Sequence, residues 1–205
     1  MKNFDIYKET DLIVQVNSFC DKNCEGCYFK ELLSSVQPQL LLNQEKYLNK
    51  ISLMKSGIIS LRGGEPTMVK GWFEKFVFPA IQMNLTVIIE TDGYFIGRNN
   101  YNDILSKLSH DKIFIRVSFD KNHYVASGDF KKMAVFTDDA VNHNIQLSFH
   151  SLGMSESEIS EFLLGTDLEK YREFFYPLRY YKKISRVKLK GEYLRVDGQI
   201  FNKIV

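Results

Sequence analysis

Short apolar runs alternate along the chain with longer stretches whose hydrophobic positions recur at helical spacing. The apolar runs are rich in β-branched residues and predict five strands, at Asp11–Asn17, Gly57–Arg62, Leu85–Glu90, Lys112–Asp120 and Asn144–His150. The stretches with helical spacing predict helices over Leu42–Lys55, Lys70–Met83, Tyr101–Leu108, Phe130–His143 and Ser155–Leu164. This alternation of strands and helices predicts parallel β/α units with right-handed crossovers.

Two of these helices carry local signals at their ends or within them. Pro79 is expected to end or kink the helix over Lys70–Met83, because proline removes a backbone donor and crowds the preceding turn. Ser155 or Ser157 is expected to cap the last helix, since a serine hydroxyl accepts from the free amides of the first turn.

Two arrangements of such a sheet fit the strand pattern: an open doubly wound sheet and a curved partial barrel. Five or six β/α units are too few for a full eight-stranded barrel. Continuous apolar strands such as Val87–Ile89 favour a sheet covered on both faces. In either arrangement ligands bind at the carboxyl ends of the strands, so the residues that follow strands are the candidate functional residues.

The regular alternation of strands and helices ends after Leu164. Residues 171–195 interleave lysine and arginine with tyrosine and phenylalanine, and Val196–Ile200 is typical of a turn in a terminal hairpin. We expect a core domain over residues 1–165 and an extension over 166–205 packed on the core. The basic aromatic stretch is either a surface for an acidic peptide, a protein partner or nucleic acid, or a hairpin edge protected by its charges.

Composition restricts the class of protein. With 205 residues, 44% hydrophobic and 25% charged, the chain suits one globular domain with a short appendage. The 27 basic and 25 acidic residues are too balanced to indicate nucleic-acid or membrane binding by the whole chain. Apolar runs such as Leu85–Ile89 are far shorter than a membrane helix, and Met1–Thr10 is polar, unlike a secretory signal. We therefore expect a cytoplasmic, unprocessed protein.

All three cysteines lie in one short segment after the first predicted strand, at Cys20, Cys24 and Cys27. An odd, clustered set favours a metal or reactive site over a disulfide framework. Structural zinc normally takes four protein ligands, and here the fourth would have to be a histidine more than 80 residues away. The charged residues around the cysteines argue against three inert buried thiols. The remaining interpretation is an iron–sulfur cluster, in which three thiolates on four irons leave one iron open to a ligand.

The spacing Cys-x3-Cys-x2-Cys after a first strand resembles the signature of the radical S-adenosylmethionine (SAM) enzymes. Their second motif, Gly-Gly-Glu-Pro after the second strand, occurs here as Gly63–Pro66. The polar ends of the third and fourth strands, Thr91–Gly93 and Ser118–Asp120, are also similar to those of the family. The resemblance covers residues 11–150 and implies an α/β fold, a partial (β/α)5–6 parallel barrel with a short C-terminal β-rich extension.

The same resemblance implies a mechanism. Cys20, Cys24 and Cys27 would hold a [4Fe-4S] cluster whose fourth iron binds SAM. One electron would cleave SAM to methionine and a 5′-deoxyadenosyl radical, which removes a hydrogen atom from the substrate. The carboxylate of Glu65 and the backbone of Gly63–Gly64 would meet the amino group of SAM, because a carboxylate suits an ammonium and glycine lets backbone approach closely.

The other cofactor contacts implied by the resemblance come from the ends of later strands. They are Thr91, Asp92, Ser118, Asp120 and His150. Ordinary polar caps of strand ends would have the same composition, so that alternative stays open. Many family members place an aromatic residue just before the third cysteine. Here that position is Gly26, and we expect Tyr28, just after the cysteine, to take part in the adenine environment.

The expected substrate class is a peptide or protein, as in peptide modification or activation of a glycyl-radical enzyme, because a large substrate can cover the mouth of a small barrel. With all three cysteines assigned, we expect no second cluster and no catalytic thiol. A reductant protein such as flavodoxin or ferredoxin is implied as a partner, whereas membrane and nucleic-acid partners are not expected. The alternatives are a radical SAM enzyme for a small or nucleotide-like molecule, a non-catalytic iron–sulfur redox or sensor protein, and a zinc-stabilised binding module.

Overall fold

A computed structural model describes residues 10–22, 24, 27, 40–121, 127–178 and 192–201. The described residues belong to two compact units, a first unit of residues 10–90 and 192–201 and a second unit of residues 91–178. Within the described ranges, no helix has the length and apolar content needed to cross a membrane.

The strands, in chain order, are β1 (Leu12–Gln15), β2 (Ile58–Arg62), β3 (Thr86–Thr91), β4 (Ile113–Ser118), β5 (Gln146–Leu152), β6 (Phe175–Leu178), β7 (Glu192–Leu194) and β8 (Ile200–Phe201). The helices are α1 (Gln44–Ser52), α2 (Phe78–Gln82), α3 (Tyr101–Leu108), α4 (Ser127–Asn142) and α5 (Glu156–Leu163). A π-helical segment (Phe73–Val77) runs directly into α2, and 3-10 turns occupy Pro66–Met68 and Glu169–Phe174.

The first unit orders its strands β3-β2-β1-β7-β8. β1 pairs in parallel with both β2 and β7, and β8 returns antiparallel to β7. Lys50 of α1 forms an ion pair with Glu192, which lies in register with Leu12 of β1. Because in-register residues share a face, α1 covers the face that carries Leu12 and Val14. Polar residues lie on the opposite face, among them Gln15, Ser60, Arg62 and Glu90.

In the second unit β5 lies between β4 and β6, all three parallel. One face packs against α4 and α5 through aromatic rings. Phe119, just after β4, contacts Phe130 of α4 at 5.3 Å and Phe162 of α5 at 5.8 Å between ring centroids. It also contacts Phe149 of β5, which stacks on Phe175 of β6 at 4.5 Å. The hydrophobic core of this unit therefore lies on the helix side of the sheet.

The five predicted strands and the alternating helices are confirmed, with small shifts at their ends. The predicted helix over Lys70–Met83 begins at Phe73 as a π-helical segment and changes to α-helix at Phe78. Pro79 does not end this helix: it lies in the first turn of α2, directly after the π-helical segment. Ser155 caps α5: its hydroxyl accepts from the Glu158 amide while the Glu158 carboxylate accepts from the Ser155 amide.

The predicted terminal hairpin is confirmed as β7 and β8, joined through the turn at Val196–Gln199. β6 was not among the predicted strands. Much of the basic aromatic stretch, residues 179–191, lies outside the described residues.

Candidate functional site

In the first unit the chain beyond β1 runs beside the chain beyond β2. The Val16 amide donates to the Arg62 carbonyl at 2.6 Å, which extends the ladder past the end of β1. The Gly64 amide then donates to the Asn17 carbonyl at 3.0 Å, and the Glu65 amide to the Phe19 carbonyl at 2.7 Å. The predicted cluster-binding segment and the Gly-Gly-Glu segment are therefore held together by their backbones.

Gly63 and Gly64 are packed against this neighbouring backbone. A Cβ atom on Gly63 would lie 2.5 Å from Oδ1 of Asn17, and one on Gly64 would lie 1.9 Å from the Phe19 carbonyl oxygen. Neither glycine is among those with positive φ. The two glycines are thus required by the close approach of the cysteine segment, in addition to any role toward a ligand.

Asn17 is a site residue that sequence reasoning missed. Its side chain is fully buried, and Nδ2 donates to the Glu65 carbonyl at 2.8 Å and to the Phe19 carbonyl at 3.3 Å. In sequence it is only a polar residue at the end of a strand. A signal was nevertheless present, since it precedes the first cysteine by three positions and follows an apolar strand.

Glu65 is a buried acidic residue just beyond the carboxyl end of β2. It is 1% exposed, although a glutamate is rarely buried without partners. Its Oε1 accepts from the Thr67 amide at 2.9 Å and from the Thr67 hydroxyl. These bonds cap the short 3-10 turn that Pro66 begins. A buried carboxylate held in a single orientation suits recognition of a cationic group.

The three cysteines differ in exposure: Cys20 is exposed, Cys27 half-buried and Cys24 buried. The Lys22 amide donates to Sγ of Cys20 at 3.3 Å, a contact that stabilises a thiolate. The Cys27 amide donates to the Cys24 carbonyl at 3.4 Å, so these two cysteines lie close together. Thiolates on such a loop match the donor set of an iron–sulfur cluster. Tyr28, predicted to approach the adenine, lies outside the described residues.

In the second unit Thr91 and Asp92 are buried at the carboxyl end of β3. The Gly93 amide donates to Oγ1 of Thr91 at 2.9 Å, and the Tyr94 amide donates to Oδ1 of Asp92 at 2.9 Å. Each side chain therefore supports the turn that follows the strand. These bonds fit the strand-end caps considered above.

Ser118, Asp120 and His150 lie at the carboxyl ends of β4 and β5. Ser118 is in register with His150, so their side chains share the face opposite α4 and α5. Asp120 is fully buried, and its Oδ2 accepts from the Leu152 amide at 3.2 Å. The second unit thus brings these three predicted residues together at one end of two adjacent strands.

His150 is held in its neutral form. Burial lowers its pKa well below the ordinary value of 6.5, and the positive charge of Arg116 lowers it further. Its ring lies 6.2 Å from the ring of Tyr176, which is in register with it on β6. Nδ1 is buried and has no hydrogen-bond partner among the described residues. A neutral imidazole in this setting can donate one hydrogen bond and accept another.

Comparison with known proteins shows the fold. No protein-family model matches the sequence, and no curated protein matches it. The solved structure of anSMEcpe with bound AdoMet (S-adenosylmethionine) matches with a TM-score of 0.62 and 17% identity, over 88% of this chain and 54% of that one. The complex of anSMEcpe with AdoMet and the Cp18Cys peptide matches with a TM-score of 0.61 and 16% identity, over 88% and 53%. BtrN in complex with AdoMet and 2-DOIA aligns with 98% of this chain and 74% of its own at 14% identity, with a TM-score of 0.44.

The chain spans about half the length of the anSMEcpe structures that it matches. It has the partial α/β barrel fold of the radical SAM enzymes, as its motifs predict. The predicted fold class is therefore confirmed, and the partial barrel is favoured over the open doubly wound sheet. The roles of the individual site residues remain predictions.

Proposed function

We propose that this chain is a radical SAM enzyme that binds one [4Fe-4S] cluster and SAM. The observation that carries the proposal is the backbone pairing of the cysteine segment with the Gly63–Glu65 segment, which ends in a buried, oriented carboxylate. The shared fold supports it independently.

The residues of the first unit divide into two tasks in this proposal. Cys20, Cys24 and Cys27 hold the cluster through their thiolates. Glu65 accepts hydrogen bonds from the amino group of SAM, and the absence of side chains at Gly63 and Gly64 lets backbone approach the ligand. When bound, the cluster and SAM supply a one-electron cleavage that produces a 5′-deoxyadenosyl radical for hydrogen abstraction. The chain's own contribution is to position these groups and to exclude water.

In this proposal the polar residues at the ends of β3, β4 and β5 contact SAM or the substrate. These residues are Thr91, Asp92, Ser118 and Asp120. Their hydroxyls donate or accept hydrogen bonds, and their carboxylates accept hydrogen bonds, at the ribose hydroxyls and other polar groups of SAM. His150 contributes a neutral hydrogen-bonding group beside the adenosyl moiety or the substrate. Tyr28, which follows Cys27 in sequence, is proposed to contact the adenine.

A peptide is the proposed substrate class. The support is the fold shared with anSMEcpe, which has been solved with AdoMet and the Cp18Cys peptide. The proposed electron donor is a small redox protein such as flavodoxin or ferredoxin. We expect a peptide substrate to accelerate formation of 5′-deoxyadenosine, with the Cp18Cys peptide as the first probe. Acceleration by nucleosides and by no peptide would contradict this class.

Cluster binding is tested by anaerobic reconstitution followed by analysis of iron and sulfide. We expect about four irons and four sulfides per chain, with absorbance near 400 nm. Cys20→Ala, Cys24→Ala and Cys27→Ala should each lose most of this iron and the absorbance. Ser106→Ala, on the exposed side of α3, is the matched control and should keep both. Zinc without sulfide in the wild-type chain would overturn the proposal.

A further inference from the structure

We propose that Asn17 is a positioning residue that sets the register between the cysteine segment and Glu65, and thereby the affinity for SAM. This inference rests on the proposed function, because it concerns how the two halves of that site are held together. It assigns a role to a residue outside both motifs. The contacts that support this role lie within the first unit.

Asn17 makes three hydrogen bonds, two of which join the cysteine segment to the Gly63–Glu65 segment. Its carbonyl accepts from the Gly64 amide at 3.0 Å, and its Nδ2 donates to the Glu65 carbonyl at 2.8 Å. The same Nδ2 donates to the Phe19 carbonyl at 3.3 Å, one residue before Cys20. A single amide group thus bridges the residue that precedes the first cysteine and the residue that carries the buried carboxylate.

The orientation of this side-chain amide is determined by its partners. Both partners of Nδ2 are carbonyl oxygens, so a flipped amide would place Oδ1 against two acceptors. In the observed orientation Oδ1 faces Gly63, where an added Cβ would lie 2.5 Å away, and it has no hydrogen-bond partner among the described residues. A buried acceptor without a partner is costly. The side chain therefore acts through the two hydrogen bonds that Nδ2 donates, not through Oδ1.

Glu65 is consequently held at its amide, its carbonyl and its side chain. The amide is bonded to Phe19 and the carbonyl to Asn17, while Thr67 holds the carboxylate. Loss of the Asn17 bridge would free the carbonyl and weaken the link to the cysteine segment. The distance from the cluster ligands to the carboxylate would then vary, which would weaken a ligand that must reach both.

Asn17→Asp is the sharpest test, because it keeps the shape of the side chain and replaces its two donor hydrogens with at most one. Asn17→Ser is the second variant, which removes the bridge without adding a carboxyl group. Ser60→Ala is the matched control, since Ser60 is equally buried on β2 and contacts neither segment in any described hydrogen bond. For each variant we would measure iron content, the urea midpoint, the Kd for SAM, and the change that SAM causes in the electron paramagnetic resonance spectrum of the reduced cluster.

We expect at least one Asn17 variant to keep about four irons and a midpoint close to that of Ser60→Ala. In that variant the Kd for SAM should rise by about tenfold or more, and the SAM-induced spectral change should be reduced at matched SAM concentration. A Kd within twofold of the wild type in both variants would overturn the inference. Loss of folding or of the cluster in both would overturn it in favour of a purely structural role. Failure of the wild-type chain to bind cluster or SAM would instead refute the proposed function.

Discussion

Gly64 lies so close to Phe19 that a Cβ atom on Gly64 would stand 1.9 Å from the Phe19 carbonyl oxygen. The backbone at Gly64 is not in the left-handed region, so its conformation alone would accept a side chain. Glycine is required there because another segment of backbone passes beside it. The Gly-Gly-Glu-Pro motif therefore has an intramolecular reason to begin with two glycines.

Gly64→Ala should destabilise the chain by at least about 2 kcal/mol, because the added methyl group must push two bonded segments apart. The free energy of unfolding, measured by urea titration, checks this value. We also expect binding of SAM to be lost, because the Glu65 amide would no longer reach the Phe19 carbonyl.

Gly97→Ala is the matched control for that substitution. Gly97 has a φ of +71° and nothing within 4 Å of an added Cβ, so alanine there is strained but not crowded. The expected cost is roughly 1 kcal/mol, with SAM binding unchanged. Equal destabilisation by the two substitutions, or normal SAM binding by Gly64→Ala, would contradict the steric account.

Thr67→Val tests the anchoring of the Glu65 carboxylate. Valine keeps the volume of threonine and the backbone amide bond, but it removes the hydroxyl that donates to Oε1. We expect the Kd for SAM to rise by about tenfold, which corresponds to about 1.4 kcal/mol. Thr67→Ser restores the hydroxyl and should bind SAM nearly as the wild type does. Equal affinities for the valine and serine variants would show that the hydroxyl does not anchor the carboxylate.

His150 should contribute to the pH dependence of stability. Burial and the charge of Arg116 lower its pKa in the folded chain, so below the ordinary value of 6.5 the unfolded chain binds a proton that the folded chain does not. Stability is then lost as the pH falls through 6.5, by up to about 1.4 kcal/mol per pH unit. His150→Gln should reduce the change in the free energy of unfolding between pH 7.5 and 5.5. If the free energy of unfolding of the His150 variant changed with pH as in the wild type, His150 would not be the source of this pH dependence.

Phe175 should be a major contributor to the stability of the second unit. Its ring stacks on Phe149 at 4.5 Å and contacts Phe119 at 5.8 Å, and it is 2% exposed. Phe175→Ala should lower the free energy of unfolding by about 3–5 kcal/mol, measured by urea titration. Phe78→Ala, at a residue 49% exposed, should cost far less. Similar losses in the two variants would argue against the stacked core.

The regular part of the fold was predictable because each strand and helix carries its own period. Tyr101–Leu108 matches its predicted bounds, since Ile104, Leu105 and Leu108 bury one helical face. β6 was missed because it is four residues long, contains Pro177, and follows an aromatic stretch without alternation. Its position depends on the stacking of Phe175 on Phe149, a contact that local sequence does not encode.

The segments of the candidate site were predictable from the sequence, but the contacts between them were not. The spacing of the cysteines and of Gly63–Pro66 identifies two segments, but it cannot show that their backbones are bonded to each other. Asn17 was therefore missed, because its importance arises from two carbonyl groups, one of them 48 residues away in sequence. The neutral state of His150 depends in the same way on burial and on a guanidinium from a neighbouring strand.

Cleavage of SAM tests the central claim most directly. The reconstituted, dithionite-reduced chain is incubated anaerobically with SAM, and 5′-deoxyadenosine and methionine are quantified by mass spectrometry beside the Cys24→Ala variant. The proposed function predicts that the two products form in equal amounts with the wild-type chain and that neither forms with the variant. A wild-type chain that holds four irons and four sulfides yet forms no 5′-deoxyadenosine, with or without candidate peptides, would contradict it.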